Sequence, residues 1–124
     1  MIAVDTSSLA RYLAGALGDD VTLVDEALEA RRVVLPPMVL TELASAPGRG
    51  VQAMALVREL PMLDLTEGFW ERAGVLRAGV LGRGFKSRLG DALIAQACID
   101  HDVALITAGR DFRHFVRLGL RVLP

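Results

Sequence analysis

The chain has 124 residues, room for one compact domain whose core needs no covalent staples. Apolar residues at 52% and charged residues at 23% exclude a disordered or fibrous class, and every apolar run stops well short of the ~18 residues of a membrane span. A lone cysteine, Cys98, excludes a disulfide framework and a Cys-rich zinc site.

The start, Met1-Ile2-Ala3-Val4-Asp5, lacks the basic run of a signal peptide. A single cytoplasmic domain over 1–124 is therefore expected, with no membrane association. The net charge of −1 conceals an uneven split, net −6 over residues 1–71 and net +5 over 72–124. Such a split builds a local positive surface or merely decorates solvated helices.

Ile2-Ala3-Val4 reads as a buried strand ending at Asp5. Thr6-Ser7-Ser8 offers caps for a helix through Ala14, where Leu9, Tyr12 and Leu13 recur at helical spacing. Asp19-Asp20 offers a second cap, and Val21, Val24, Ala27 and Leu28 predict a helix running to Arg31-Arg32, two cations suited to its last turn. Val33-Val34-Leu35 is the second strand, and Pro37 starts a helix through Ala46. Pro47-Gly48-Arg49-Gly50 is a loop.

Val51 to Leu60 predicts a helix and Met62–Leu65 a short strand. Thr66 is the expected cap of a longer helix carrying Phe69, Trp70, Ala73, Leu76 and Val80 on one face. Leu81 to Gly90 is a Gly- and Arg-rich connection. Asp91 is expected to open a helix that is apolar nearly all round, hence buried. Val103–Ile106 is a strand, residues 110–118 a last helix, and 120–123 an edge strand. Strands separated by helices imply an α/β domain: a central parallel sheet of four to five short strands with helices on both faces.

In an open α/β sheet, ligands bind beyond the carboxyl ends of the strands. Asp5 ends the first strand, Asp91 starts the buried helix, Asp111 follows the Val103–Ile106 strand, and Glu42 lies in the helix after the second strand. Gathered at one edge, these carboxylates repel by about 3 kcal/mol per pair at ~5 Å and an effective dielectric of ~20. A hard divalent cation relieves the conflict, and an all-oxygen set suits Mg²⁺, with Mn²⁺ the alternative, better than zinc. Metal-assisted hydrolysis of a phosphodiester is the chemistry such a set supports. Each acid also has a plain structural reading: Asp5, Asp91 and Asp111 as helix caps, Glu42 as a solvated helix residue.

Arg83, Lys86 and Arg88, just before Asp91, are candidate contacts to an RNA backbone, or ordinary loop cations. His101 and His114 would suggest metal-free acid–base cleavage; a helix C-terminus explains His101 and an Arg-rich helix surrounds His114, so neither is assigned a catalytic role. Cys98 reads as a small buried hydrophobe. Phe69 and Trp70 read as core or dimer-contact residues.

Four segments together resemble the PIN-domain ribonucleases, especially the VapC-type toxins of toxin–antitoxin pairs. They are Ile2-Ala3-Val4-Asp5-Thr6-Ser7-Ser8-Leu9, Leu35-Pro36-Pro37-Met38-Val39-Leu40-Thr41-Glu42-Leu43, Gly90-Asp91-Ala92-Leu93-Ile94-Ala95-Gln96-Ala97, and Ala104-Leu105-Ile106-Thr107 followed by Asp111-Phe112. The resemblance implies a PIN-like fold and a Mg²⁺-dependent endoribonuclease, with Asp5 and Asp91 holding the metal. Glu42 and Asp111 would act through water, and Thr6 and Thr107 would support the ligands with their hydroxyls. It also implies an RNA substrate, a homodimer, and a VapB-like antitoxin that pushes a basic side chain into the acidic pocket.

One position departs from that pattern. The family usually carries an acid two residues after the threonine, where this chain has Gly109. An inactive PIN-like module that binds RNA or antitoxin is therefore the competing reading. A receiver domain lacks support because Asp5 is followed by Thr6-Ser7 and Lys86 follows no strand. A haloacid-dehalogenase-like phosphatase would need Asp at position 7, which is Ser.

Overall fold

The computed structural model describes residues 1–48 and 50–124. Its four strands are β1 (Ile2–Val4), β2 (Val33–Val34), β3 (Leu105–Ile106) and β4 (Val122–Leu123). They form one sheet in the order β2-β1-β3-β4, with every pairing parallel. Helices α1 (Thr6–Leu13) and α2 (Asp19–Glu29) connect β1 to β2. Four more, α3 (Pro37–Ser45), α4 (Val51–Glu59), α5 (Phe69–Gly82) and α6 (Leu89–Asp100), lead to β3, and α7 (Arg113–Val116) leads to β4.

Every residue of β1, β2 and β3 is buried, as expected of parallel strands covered on both faces. Neighbouring strand residues point to opposite faces. Val33 accordingly joins the main core with Leu9, Val39, Ile94 and Ile106, while Val34 packs with Leu63, Phe69, Ala73 and Ala97. The apolar α6 buries Ala92, Ile94, Ala95, Gln96, Ala97 and Cys98, which makes it the central helix that its composition predicts.

Chain connections leave the two middle strands in opposite directions, β1 towards β2 and β3 towards β4. The carboxyl ends of β1 and β3 therefore mark a topological switch point, where open α/β sheets leave a crevice.

Several local expectations are corrected. Met62–Leu65 makes only a single bridge, Leu35 to Met62, because the next rung would need an N–H from Pro37, which has none and starts α3. Gly68, at φ 80°, rather than Thr66, precedes α5, and the Thr66 hydroxyl accepts from Arg72 at 2.9 Å. Trp70 lies off the core face at 66% exposed, one residue round the helix from buried Phe69.

Gly18, not Asp19 or Asp20, sits at the cap position of α2. That helix ends at Glu29, so Arg31 and Arg32 fall beyond it, with Arg31 at φ 54°. The last helix shrinks to Arg113–Val116. In the loop expected at residues 47–50, Pro47 and Gly48 form a turn and Arg49 lies outside the described residues.

Candidate active site

Asp5 follows the last residue of β1 and caps α1. Its Oδ1 accepts from the Ser7 N–H at 3.2 Å and its Oδ2 from the Ser7 hydroxyl at 2.8 Å. The extended backbone of Asp5 (φ −68°, ψ 150°) is the usual cap geometry. From the neighbouring strand end, Thr107 donates its hydroxyl to Asp5 Oδ2 at 2.7 Å. The same Thr107 oxygen accepts from the Gly109 N–H at 3.1 Å. A carboxylate offers about four acceptor positions, so three bonds fix this side chain and leave it room to take another. Asp5 is thus both a cap and a buried anion, only 6% exposed.

Glu42 reaches the same place from α3, where Pro37 occupies the first helical position. Its Oε1 accepts from the Thr6 hydroxyl at 2.6 Å, tying the first turn of α1 to the middle of α3. Asp91 stands in the first turn of α6, two residues after the start, with Arg88 at the cap position. It is therefore no helix cap; its charge only favours the positive end of the helix dipole. Asp111 lies in the exposed turn before α7.

All four carboxylates line one cavity of about 230 Å³, together with Thr6, Ser7, Ala10, Arg88, Gly109 and Phe112. Asp91 feels that company. Its carboxyl is pushed up from 3.8 to about 6, first by burial, then by the charges of Asp111 and Asp5, while Arg88 pulls it down by more than Glu42 pushes it up. Among the described residues, no three His, Cys, Asp or Glu side chains stand close enough to clasp one ion directly. The arrangement suits a cation that keeps much of its water, as Mg²⁺ does, more than a fully dehydrated one.

The remaining candidates separate. Thr107 stands behind Asp5. Lys86 lines an adjoining hollow that shares Arg88, Asp91 and Asp111 with the carboxylate cavity. Arg83 lines neither and lies over the Phe85 ring, 5.4 Å from its centroid; Phe85 in turn stacks on His114 at 4.1 Å. His101 caps the end of α6 and bonds the Asp64 carbonyl at 2.7 Å. Burial, with Asp5 adding to it, pushes the Cys98 thiol up to about 12, so it supplies no thiolate nucleophile. Sequence reading missed Ser7, whose two bonds to Asp5 follow from the Asp-Thr-Ser cap pattern, and Arg77, whose reach into the loop before α6 no local pattern reveals.

A larger hollow of about 710 Å³ beside α5 includes Val75, Leu118 and Arg72. Arg72 is committed there to Asp100, at 2.7 and 3.2 Å, and Glu71 is the one carboxylate among the described residues lining it.

The PIN domain model matches residues 2–118. The chain belongs to the PIN domain family. PIN domains are generally nucleases that use divalent metal ions. This PIN domain superposes on VapBC2 from Rickettsia felis, crystallised with a promoter DNA fragment, with a TM-score of 0.76 and 17% identity over 99% of this chain and 98% of that one. VapBC-5 from Mycobacterium tuberculosis, of a toxin–antitoxin family, gives 0.72 and 20% over 98% and 96%. FitAcB from Neisseria gonorrhoeae gives 0.68 and 18% over 100% and 97%. No curated protein matches it by sequence. No helix among the described residues is long and apolar enough to cross a membrane.

Proposed function

We propose that this PIN domain is a metal-dependent endoribonuclease, the toxin of a toxin–antitoxin pair acting in the cytoplasm. The observation that carries the reading is the sharing of one cavity by Asp5, Glu42, Asp91 and Asp111. Carboxylates gathered from four separate segments repel one another, and the Asp91 carboxyl is raised first by its burial and then by its acidic neighbours. An all-oxygen set of this charge suits Mg²⁺ or Mn²⁺. Asp5 and Asp91 would hold the ion. When bound, it supplies Lewis-acid stabilisation of phosphate charge and a lowered water pKa for hydrolysis.

The chain's own side chains do the positioning. Ser7 and Thr107 fix the Asp5 carboxylate, and Thr6 fixes Glu42. Glu42 and Asp111 border the same cavity and would orient the attacking water. Arg88, on its rim, would hold the RNA phosphate against the acids.

Cleavage of single-stranded RNA with Mg²⁺ or Mn²⁺, its arrest by chelator, and its loss in Asp91→Asn are the expected results. Activity that survives in Asp91→Asn would overturn the site. Gly109, standing where the resemblance puts an acid, favours a second reading, an inactive module that binds RNA or antitoxin. RNA binding without cleavage under either ion would establish it.

The likeness to VapBC and FitAB assemblies supports a VapB-like antitoxin as partner. Pairing with a second copy is supported by exposed Trp70 and Val75 on α5, with Leu118 beside Val75. Sedimentation should give a dimer, and Val75→Glu a monomer.

A further inference from the structure

Next to the carboxylate cavity is a second hollow, of about 360 Å³, which differs in charge. Arg77, Lys86, Ser87 and Arg88 line it, and Asp91 and Asp111 form the wall it shares with the first. Lys86 and Arg88 make no ion pair among the described residues. Arg77 donates its Nε to the Ser87 carbonyl at 3.0 Å, which anchors the loop to α5 and keeps the guanidinium beside it.

Ser87 supplies a second, independent observation. Its Oγ is buried without any hydrogen-bond partner, the one such side-chain atom among the described residues. A buried hydroxyl left unbonded costs about 1–3 kcal/mol, so proteins seldom keep one that no water, ion or ligand satisfies. Here the unsatisfied donor belongs to a residue flanked by two cations in the sequence and met by a third from α5. An anionic oxygen is the partner this chemistry fits.

We propose that Arg77, Lys86, Ser87 and Arg88 form a phosphate subsite of the RNA strand, beside the scissile position. This deepens the nuclease reading and rests on it. A phosphodiester is favoured over a free anion because the hollow shares a wall with the carboxylate cavity. A strand held by one phosphate here brings its neighbour towards Asp91. The same geometry leaves out Arg83, whose guanidinium lies over Phe85.

The test uses a fluorescein-labelled single-stranded RNA 10-mer and the full chain, with binding measured by anisotropy in chelator over a range of NaCl. Ser87→Ala should weaken binding roughly tenfold, as loss of a hydrogen bond to a charged group does, and leave Tm equal or higher because it deletes an unsatisfied group. Lys86→Gln should lower the salt slope by about 0.7, the value of one phosphate contact on a single strand. Arg83→Gln should leave both unchanged.

Wild-type affinity in Ser87→Ala, or an Arg83→Gln loss equal to that of Lys86→Gln, would overturn the subsite. Inorganic phosphate that raises Tm in wild type but not in Ser87→Ala, with no RNA bound, would assign the hollow to the free anion and overturn the RNA claim. Cleavage assayed in parallel with Mg²⁺ keeps the two readings apart. Subsite effects without cleavage sink the nuclease alone, and cleavage indifferent to these variants sinks the subsite alone.

Discussion

The Thr107 hydroxyl donates to Asp5 Oδ2 across 2.7 Å, although 102 residues separate the two in the chain. The bond is made at the switch point of the sheet, where Ala3 pairs with Leu105 and Val4 with Ile106. Register alone therefore brings the two side chains together. Thr107 is a positioning residue, and Thr107→Val keeps its shape while removing the donor. The expected result is a loss of about 1.5–3 kcal/mol in stability, a weaker apparent Mg²⁺ affinity in the cleavage assay, and recovery of both in Thr107→Ser. A Thr107→Val protein with wild-type metal dependence would remove the residue from the site.

Asp91 makes an opposite prediction for the metal-free protein. A carboxyl raised from 3.8 to about 6 in the fold destabilises it when ionised; the penalty is absent below 3.8 and complete above about 6. Asp91→Asn should therefore be more stable than wild type in chelator at neutral pH, by about 1–2 kcal/mol after discounting for solvent screening. The advantage should vanish as the pH falls towards 4, and saturating Mg²⁺ should also erase it. Denaturation midpoints at pH 4 and 7.5 decide the matter; equal stability at both would mean that neither burial nor the neighbouring acids disfavour an ionised Asp91.

Asp20 titrates the other way. It is 3% exposed and accepts from Ser8 at 2.8 Å and from Arg11 at 3.1 Å. Burial by itself would raise its carboxyl, but these bonds, with the Val21 N–H and the Arg11 charge, hold it below the ordinary value. Its contribution is thus present above 3.8 and lost as the pH drops through the lowered folded value. Arg11→Met leaves a buried anion with one partner fewer and should cost roughly 3 kcal/mol at neutral pH, and less in acid. Urea midpoints between pH 2.5 and 7 measure this, and a cost independent of pH would point to lost packing of the Arg11 stem instead.

The acids were legible for a physical reason. Asp5 sits at a strand end, Glu42 on the helix after a strand, Asp91 in a helix's first turn and Asp111 in the loop after a strand, and parallel α/β winding brings those places to one edge. The continuous apolar character of α6 announced its burial. What stayed hidden depends on contacts between distant segments. The side chain of Arg72, not a cap, takes up Thr66, and Trp70 turns outward because it stands one residue round α5 from the buried stripe of Phe69, Ala73, Leu76 and Val80. Basic Arg83, Lys86 and Arg88 look equivalent in sequence, yet stacking on Phe85 draws Arg83 aside.

Gly109 tests whether the cavity is a metal site at all. Its φ is not in the left-handed range, and a Cβ there would meet Thr107 Oγ1 at 3.6 Å and the Asp111 nitrogen at 4.0 Å, ordinary contact distances. A side chain is therefore admitted without strain, on a residue that already lines the cavity. Gly109→Asp adds a carboxylate to four that repel, so in chelator it should lower Tm. With Mn²⁺ the sign reverses, because affinity for a hard cation rises with the number of charged oxygens around it. Calorimetric titration should show binding tighter on the order of tenfold. Gly109→Ala is the control: it restricts the unfolded chain, raises stability by about 0.5 kcal/mol and leaves Mn²⁺ affinity alone. If the aspartate and alanine variants bound Mn²⁺ equally, the ion would have to sit elsewhere, and the four acids would be left as a cap, two helix residues and a loop carboxylate.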